Sequence, residues 1–291
     1  MIVSPLEYSA TTHPGLSRDN NEDTYLCLPE VGLWLVADGM GGHEAGEVAS
    51  AIVRDTVAQK IKTNPQAELA NSIQDAHKAI LHSAAEGIGA IGMGSTVVAV
   101  QSRDKYFQIA WVGDSRAYLW TPNYKGTGKS GSLERLSTDH SYVQMLVEKG
   151  VISPDEADAH PEKNIITQCL GMQELADVSV DLVQGQWQTD QWILLCSDGL
   201  TDEISDQTIA QILSLSDNSL TAVDQLLHAA LTNGGHDNIT LQIIESPVKP
   251  HPFWSSAKQW IPHITGRPLV DAGIFAATIL ILILSIVNFI L

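Results

Sequence analysis

Cysteine is scarce in this 291-residue chain: Cys27, Cys169 and Cys196 stand far apart, and none belongs to a Cys-x-x-Cys pair. That excludes a disulfide framework and makes a reducing compartment the expectation. Positive charge is scarce as well, with 16 Lys and Arg against 34 Asp and Glu, a formal net charge of −18. Such a surface repels phosphate backbones, so nucleic acid is not an expected partner, whereas divalent cations and basic peptides are attracted. Glycine (22) and proline (12) stay near average usage with no tripeptide period, which excludes collagen-like and low-complexity architectures. Only 17% of residues are charged and 44% are hydrophobic, so disorder is excluded and one or two well-buried domains are expected.

The charge is unevenly placed. Residues 1–245 hold 13 Lys and Arg against 33 Asp and Glu; residues 246–291 hold Lys249, Lys258 and Arg267 against Asp271 alone. From Ala272 to Leu291 the chain reads AGIFAATILILILSIVNFIL, with no charge and only Thr278, Ser285 and Asn288 as polar interruptions. A helix of that length covers about 30 Å, the hydrocarbon thickness of a bilayer. Residues 272–291 are therefore expected to be a transmembrane helix and residues 246–271, which carry five prolines with Trp254 and Trp260, a semi-rigid juxtamembrane linker. The N-terminal MIVSPLEYSA has no charged region followed by an apolar run. The three cations precede the span, so the expectation is a single-pass C-terminal tail anchor with the 1–245 domain on the cytoplasmic face.

Within residues 1–245, apolar runs predict strands at about 31–37, 94–101, 106–112, 116–120, 177–183, 191–197 and 239–245. Three- and four-residue apolar steps predict helices at about 45–62 and 66–86, with a further helix at 219–232. Ser153-Pro154-Asp155-Glu156 has the grammar of a capped helix start. Helices bunch and strands bunch, which argues for an α+β fold with antiparallel sheets and helices packed outside.

The aspartates fall at the ends of these runs. Val31–Ala37 ends at Asp38-Gly39, Gln108–Val112 at Gly113-Asp114 and Trp192–Ser197 at Asp198-Gly199, while His236-Asp237-Asn238 precedes the strand beginning at Ile239. A single Asp-Gly after a strand is ordinarily a turn. Four such acids, if pairing brings the strand ends together, repel one another and need a divalent cation. With no Cys pair or His-x-x-x-His beside them the ligands are hard oxygens, which favours Mg²⁺ or Mn²⁺ over Zn²⁺ and suits hydrolysis of a phosphate ester. Arg18, in Gly15-Leu16-Ser17-Arg18-Asp19-Asn20-Asn21-Glu22-Asp23, reads either as an exposed arginine paired with Glu22 or Asp23 or as a guanidinium that grips phosphate.

Arg18-x-x-Asn21-Glu22-Asp23, Asp38-Gly39-Met40-Gly41-Gly42-His43, Gly94-Ser95-Thr96, Val112-Gly113-Asp114-Ser115-Arg116, Asp139-His140-Ser141, Ser197-Asp198-Gly199-Leu200-Thr201-Asp202 and His236-Asp237-Asn238-Ile239-Thr240 occur in that order. The ordered set, over roughly residues 7–245, resembles the metal-dependent protein phosphatases of the protein phosphatase 2C type, and DGMGGH is similar to the bacterial branch. The resemblance implies a four-layer sandwich of two antiparallel sheets flanked by helices, with a metal centre at one end. It implies that Asp38 bridges two Mg²⁺ or Mn²⁺ ions, that Asp198 and Asp237 complete the first site, and that the Gly39 carbonyl serves the second. Glu22 and Asp23 would act through water in the outer shell, Asp114 with Asp198 would hold a third ion, and Arg18 would bind the substrate phosphate. Activity on phosphoserine and phosphothreonine proteins, opposing a bacterial Ser/Thr kinase at the membrane, is the implied function. An inactive module that binds phosphoproteins or scaffolds a signalling complex is the alternative; it would be expected to lack one of these acids, and none is missing.

Two departures stand out. Thr12-His13-Pro14-Gly15 stands where many relatives have Thr-Asp-x-Gly, and Met40 stands where the eukaryotic branch has a histidine that protonates the leaving alkoxide. His43 is the nearest substitute acid, with water as the competing proton source. The cysteines are not nucleophile candidates, and Cys196 within WILLCSDG reads as a core residue. Residues 141–165 fall where relatives carry a flap; Asp155, Glu156, Asp158 and Glu162 there either steer basic phosphopeptides or form a solvated helix face.

Overall fold

The computed structural model describes residues 6–42, 45–123 and 130–248. His43, most of the expected linker and the whole expected span lie outside these residues; among the described residues no helix is long and apolar enough to cross a membrane. The first half of the chain forms β1 (Tyr8–His13), β2 (Asp23–Leu28), β3 (Leu33–Met40), α1 (Ala45–Thr63), α2 (Leu69–Ala85), β4 (Gly94–Ser95), β5 (Val97–Arg103), β6 (Tyr106–Val112) and β7 (Arg116–Asn123). The second half forms β8 (Ser130–Arg135), α3 (Tyr142–Glu148), α4 (Pro154–Asp158), β9 (Asp181–Gln186), β10 (Trp192–Cys196), α5 (Asp198–Thr201), α6 (Asp206–Leu215), α7 (Ser219–Asn233) and β11 (Ile239–Glu245).

Alternation along the strands dictates the layers, because successive side chains on a strand point to opposite faces. On β3, Leu33, Leu35 and Ala37 join Ala49, Val53 and Val57 of α1 and Ile73, Ala76 and Ile80 of α2, while Trp34 and Val36 point the other way. On β10, Leu194 and Cys196 pack against Ile209 and Leu213 of α6 and Leu226 of α7, while Ile193 and Leu195 face Trp34 and Val36. Both faces of each central strand are therefore buried, and the apolar runs are continuous. The result is the expected α+β sandwich. One antiparallel sheet has the order β1-β11-β10-β7-β8; the other has β2-β3-β5-β6-β9 with β4 on β3. Trp34 is fully buried between them, and Cys196 is a core residue as anticipated.

The structure differs from expectation at several elements. The run expected as one strand over 94–101 breaks at Thr96, because the Thr96 amide donates to Asp38 O at 2.8 Å and its hydroxyl accepts from the Asp38 amide at 3.1 Å. Strand β3 continues through Asp38 and Gly39 to Met40, paired by β4 through Gly39↔Ser95 and Met40↔Gly94. The strand placed at 177–183 lies at Asp181–Gln186. The Ser153 cap is present as a reciprocal capping box with Glu156, but the helix it starts is only five residues long. Packing continues past Glu245: the Ser246 amide donates to Gln191 O at 2.8 Å and Val248 is buried in the inter-sheet core.

Candidate active site

Strand register alone gathers the acids. Asp23 pairs with Asp38 across β2 and β3. In the other sheet Arg116, Cys196 and Leu241 stand in one row, so Asp114, Asp198 and Asp237, two to four residues away in sequence, lie at the same end of the sandwich. A hydrogen bond ties the sheets together there: Ser197 Oγ donates to Asp23 Oδ2 at 2.8 Å and accepts from the Thr240 amide at 3.0 Å.

The gathered carboxylates lack enough hydrogen-bond donors. Asp23 Oδ1, Asp114 Oδ1 and Asp198 Oδ1 are buried without a partner. Burial raises Asp23 to about 7 despite the Ser197 bond, with Asp198 and Asp237 adding like charge. Burial also raises Asp198, to about 6, with Asp202 and Asp237 contributing repulsion. Asp38 is held well above the usual carboxylate range by burial and then by Asp23, Asp198 and Asp114; Asp114 is held there by burial, Asp198 and Asp139, against the nearby Arg116. Unpartnered oxygens in mutually repelling acids are what a divalent cation relieves, and an all-oxygen donor set suits Mg²⁺ or Mn²⁺. Among the described residues no group of three or more acidic, histidine or cysteine side chains stands in a geometry that could hold a metal ion without further ligands or adjustment.

Close backbone packing shapes the rest. The Gly39 amide donates to Glu22 O at 3.1 Å, and a Cβ on Gly39 would stand 1.9 Å from Gly46 O. A Cβ on Gly46 would in turn meet the Glu22 carboxyl at 2.6 Å, so two glycines let β3, α1 and Glu22 meet. Burial raises the Glu22 carboxyl, opposed by a hydrogen bond from the Gly46 amide. Thr96 and Ser115 share a buried 2.7 Å hydroxyl contact that joins β3 to the turn bearing Asp114.

Arg18 reaches neither Glu22 nor Asp23 in an ion pair. Its Nη2 donates to Asp237 Oδ2 at 2.6 Å, and its side chain is 53% exposed. Asn238 makes this possible. Its Oδ1 accepts from the Glu22 amide at 2.7 Å, and its Nδ2 donates to Pro14 O and Asn20 O, both at 2.9 Å. One buried amide thus fastens the Arg18 loop to the start of β11. His13, at the Thr12-His13-Pro14-Gly15 departure, takes a local capping role: its Nδ1 accepts from the Gly15 amide at 2.9 Å. Asp139 is gripped by Arg116 at 2.8 Å and by Arg135. The roles of Asn238, Ser197 and Asp139 were not read from the sequence; their sole signal was their place inside the ordered motifs.

The chain is similar to known proteins over most of its length. The Protein phosphatase 2C family profile matches residues 17–233. Over 248 residues the chain is 34% identical to the serine/threonine protein phosphatase PstP of Mycobacterium tuberculosis (strain CDC 1551 / Oshkosh); the match covers 84% of this chain and 46% of that protein, less than half its length. It is 35% identical over 245 residues to the serine/threonine phosphatase stp of Listeria welshimeri, covering 80% of this chain and 93% of that one. The crystal structure of the PstP catalytic domain in complex with two manganese ions superposes with a TM-score of 0.71 at 32% identity, covering 82% of this chain and 97% of that one. The chain belongs to the protein phosphatase 2C family.

Proposed function

We propose that this protein is a metal-dependent serine/threonine phosphoprotein phosphatase. The observation that carries the reading is the convergence of Asp38, Asp114, Asp198 and Asp237 at one end of the sandwich, with buried unpartnered oxygens and an exposed arginine beside them. Asp38, Asp198 and Asp237 would hold two Mn²⁺ or Mg²⁺ ions together with the Gly39 carbonyl, and Asp114 with Asp198 a third. When bound, the ions supply Lewis acidity and acidify water for attack on phosphorus.

The chain's own residues do the positioning. Arg18 uses one of its five N–H donors on Asp237, which keeps the guanidinium at the site while the others can take phosphate oxygens. Charge gathering on those oxygens in the transition state strengthens that grip. Glu22 and Asp23 stand behind the ligands and orient water. The leaving alkoxide takes its proton from water or from His43. The buried Cys196 and the half-buried Cys27, both thiols pushed up to about 12 by burial, take no part.

The sequence of residues 272–291 supports a membrane tether with the catalytic domain on the cytoplasmic face, where the enzyme would oppose a bacterial Ser/Thr kinase. An inactive phosphoprotein-binding module is the competing reading, and the full acid set disfavours it. Hydrolysis of a phosphothreonine peptide in Mn²⁺, Mg²⁺ or EDTA decides between them, with Asp198→Asn as the control. Metal-dependent turnover that falls by orders of magnitude in the control supports the enzyme; absence of turnover in folded, metal-loaded protein favours the binding module.

A further inference from the structure

A cavity of about 670 Å³ opens from Asp114 and Asp198 and runs between the 141–165 excursion and the helices that follow β10. Its walls are mainly charged and polar side chains with a short apolar strip. Val143 and Val147 of α3 and Ile204 line it, as do Asp155 of α4 and Asp206 of α6.

The cations in this cavity are already engaged. Arg116 holds Asp139 through Nε at 3.1 Å and Nη2 at 2.8 Å, and Arg135 pairs with the same carboxylate. Lys163 Nζ pairs with Asp202 at 2.9 Å. Glu203 accepts from the amide and Nδ1 of His236, both at 2.8 Å. Asp206 accepts a 2.8 Å bond from the neutral Tyr118 hydroxyl, which leaves its charge uncancelled, and Asp155 has no ion pair among the described residues. At the inner end, Asp114 is 7% exposed and its Oδ1 has no partner. The space is therefore lined mostly by polar groups, with a short apolar strip at Val143, Val147 and Ile204, an excess of negative charge and an inner end at Asp114 and Asp198.

We propose that this cavity is a subsite for a lysine or arginine side chain of the substrate, a few residues from the phosphorylated serine or threonine. The proposal rests on the phosphatase reading and names its substrate class: phosphoproteins with a basic flank. Lysine and arginine are the side chains that pair a long aliphatic stem with a terminal cation. The stem lies along Val143, Val147 and Ile204, and the cation meets Asp155 and Asp206. Partly exposed ion pairs contribute modestly, so two of them amount to a preference of about two- to tenfold over a neutral residue and more over an acidic one.

The test uses the full-length protein and three phosphothreonine peptides that differ only in Arg, Ala or Glu at one flanking position, scanned over four residues on each side. Hydrolysis in Mn²⁺ is measured, and binding is measured by fluorescence anisotropy with non-hydrolysable phosphonate versions. The Arg peptide should exceed the Glu peptide about tenfold in kcat/KM at one flank, mainly through KM. Asp155→Asn/Asp206→Asn should bring that ratio below about twofold, and Glu162→Gln, which lies in the same excursion but outside the cavity, should leave it intact. A ratio near one in the unaltered protein, or one that survives Asp155→Asn/Asp206→Asn, overturns the subsite. Arg-selective binding through Asp155 and Asp206 without any hydrolysis keeps the subsite and removes the phosphatase reading instead.

Discussion

Asp23→Asn separates the electrostatic strain of the acid ring from its purpose. Asp23 is 7% exposed and is raised from 3.8 to about 7, with burial as the first cause. A folded-state value above the unfolded one means that the fold prefers the protonated acid. Stability is intact below the unfolded value and is lost as pH climbs toward 7, levelling off above it. At 1.36 kcal/mol per pH unit the loss is about 2 kcal/mol at pH 5.5 and about 4 kcal/mol at pH 8. Asparagine can still accept from Ser197, and any penalty for its extra amide hydrogens, about 1–3 kcal/mol, does not depend on pH. In EDTA, the melting temperature of the variant relative to the unaltered protein should therefore improve by about 4–8 °C between pH 5.5 and pH 8. Thermal melts by circular dichroism at four pH values measure this. A difference that stays constant with pH would refute the claim that buried, unrelieved negative charge is stored at this end of the sandwich.

Three further outcomes are expected. Arg18→Ala should raise KM for phosphopeptides about 10- to 100-fold with a smaller change in kcat, because it removes charge-assisted bonds to phosphate; steady-state kinetics with unchanged kcat/KM would take Arg18 out of the site. Asn238→Ala breaks three side-chain hydrogen bonds and unties the Arg18 loop from β11, and should destabilise the protein by about 1–3 kcal/mol in urea unfolding while weakening Mn²⁺ binding in calorimetry. A chain ended after Val248 should stay soluble and fold, whereas one ended at Glu245 loses the Ser246 and Val248 contacts and should melt several degrees lower.

The central layers were legible because their strands are buried on both faces and their apolar runs are continuous, as in WLVA and WILLC. The two longer helices at 45–63 and 69–85 were legible from their three- and four-residue steps. Strands β1 and β8 were not: YSATTH and SGSLER lie at sheet edges, with mixed exposure and little apolar content. Helix α3, which begins the excursion after β8, buries only Val143 and carries too weak a stripe to read.

At the site, the position of the acids at strand ends could be read, and register did the rest. What could not be read was which acid Arg18 would meet. Local spacing pointed to Glu22 or Asp23, but Asn238 folds the loop onto β11 and delivers Arg18 to Asp237, 219 residues away. The break at Thr96 was equally hidden, since it depends on hydrogen bonds to Asp38 in a neighbouring strand.

The proposed activity depends on the strand-end carboxylates forming one divalent-cation centre. Anomalous diffraction from Mn²⁺-loaded crystals, collected at the manganese edge, tests it most directly. Two strong peaks at Asp38, Asp198 and Asp237 are expected, with loss of one of them in Asp237→Asn. Manganese bound elsewhere, with these acids unoccupied in folded protein, would contradict it.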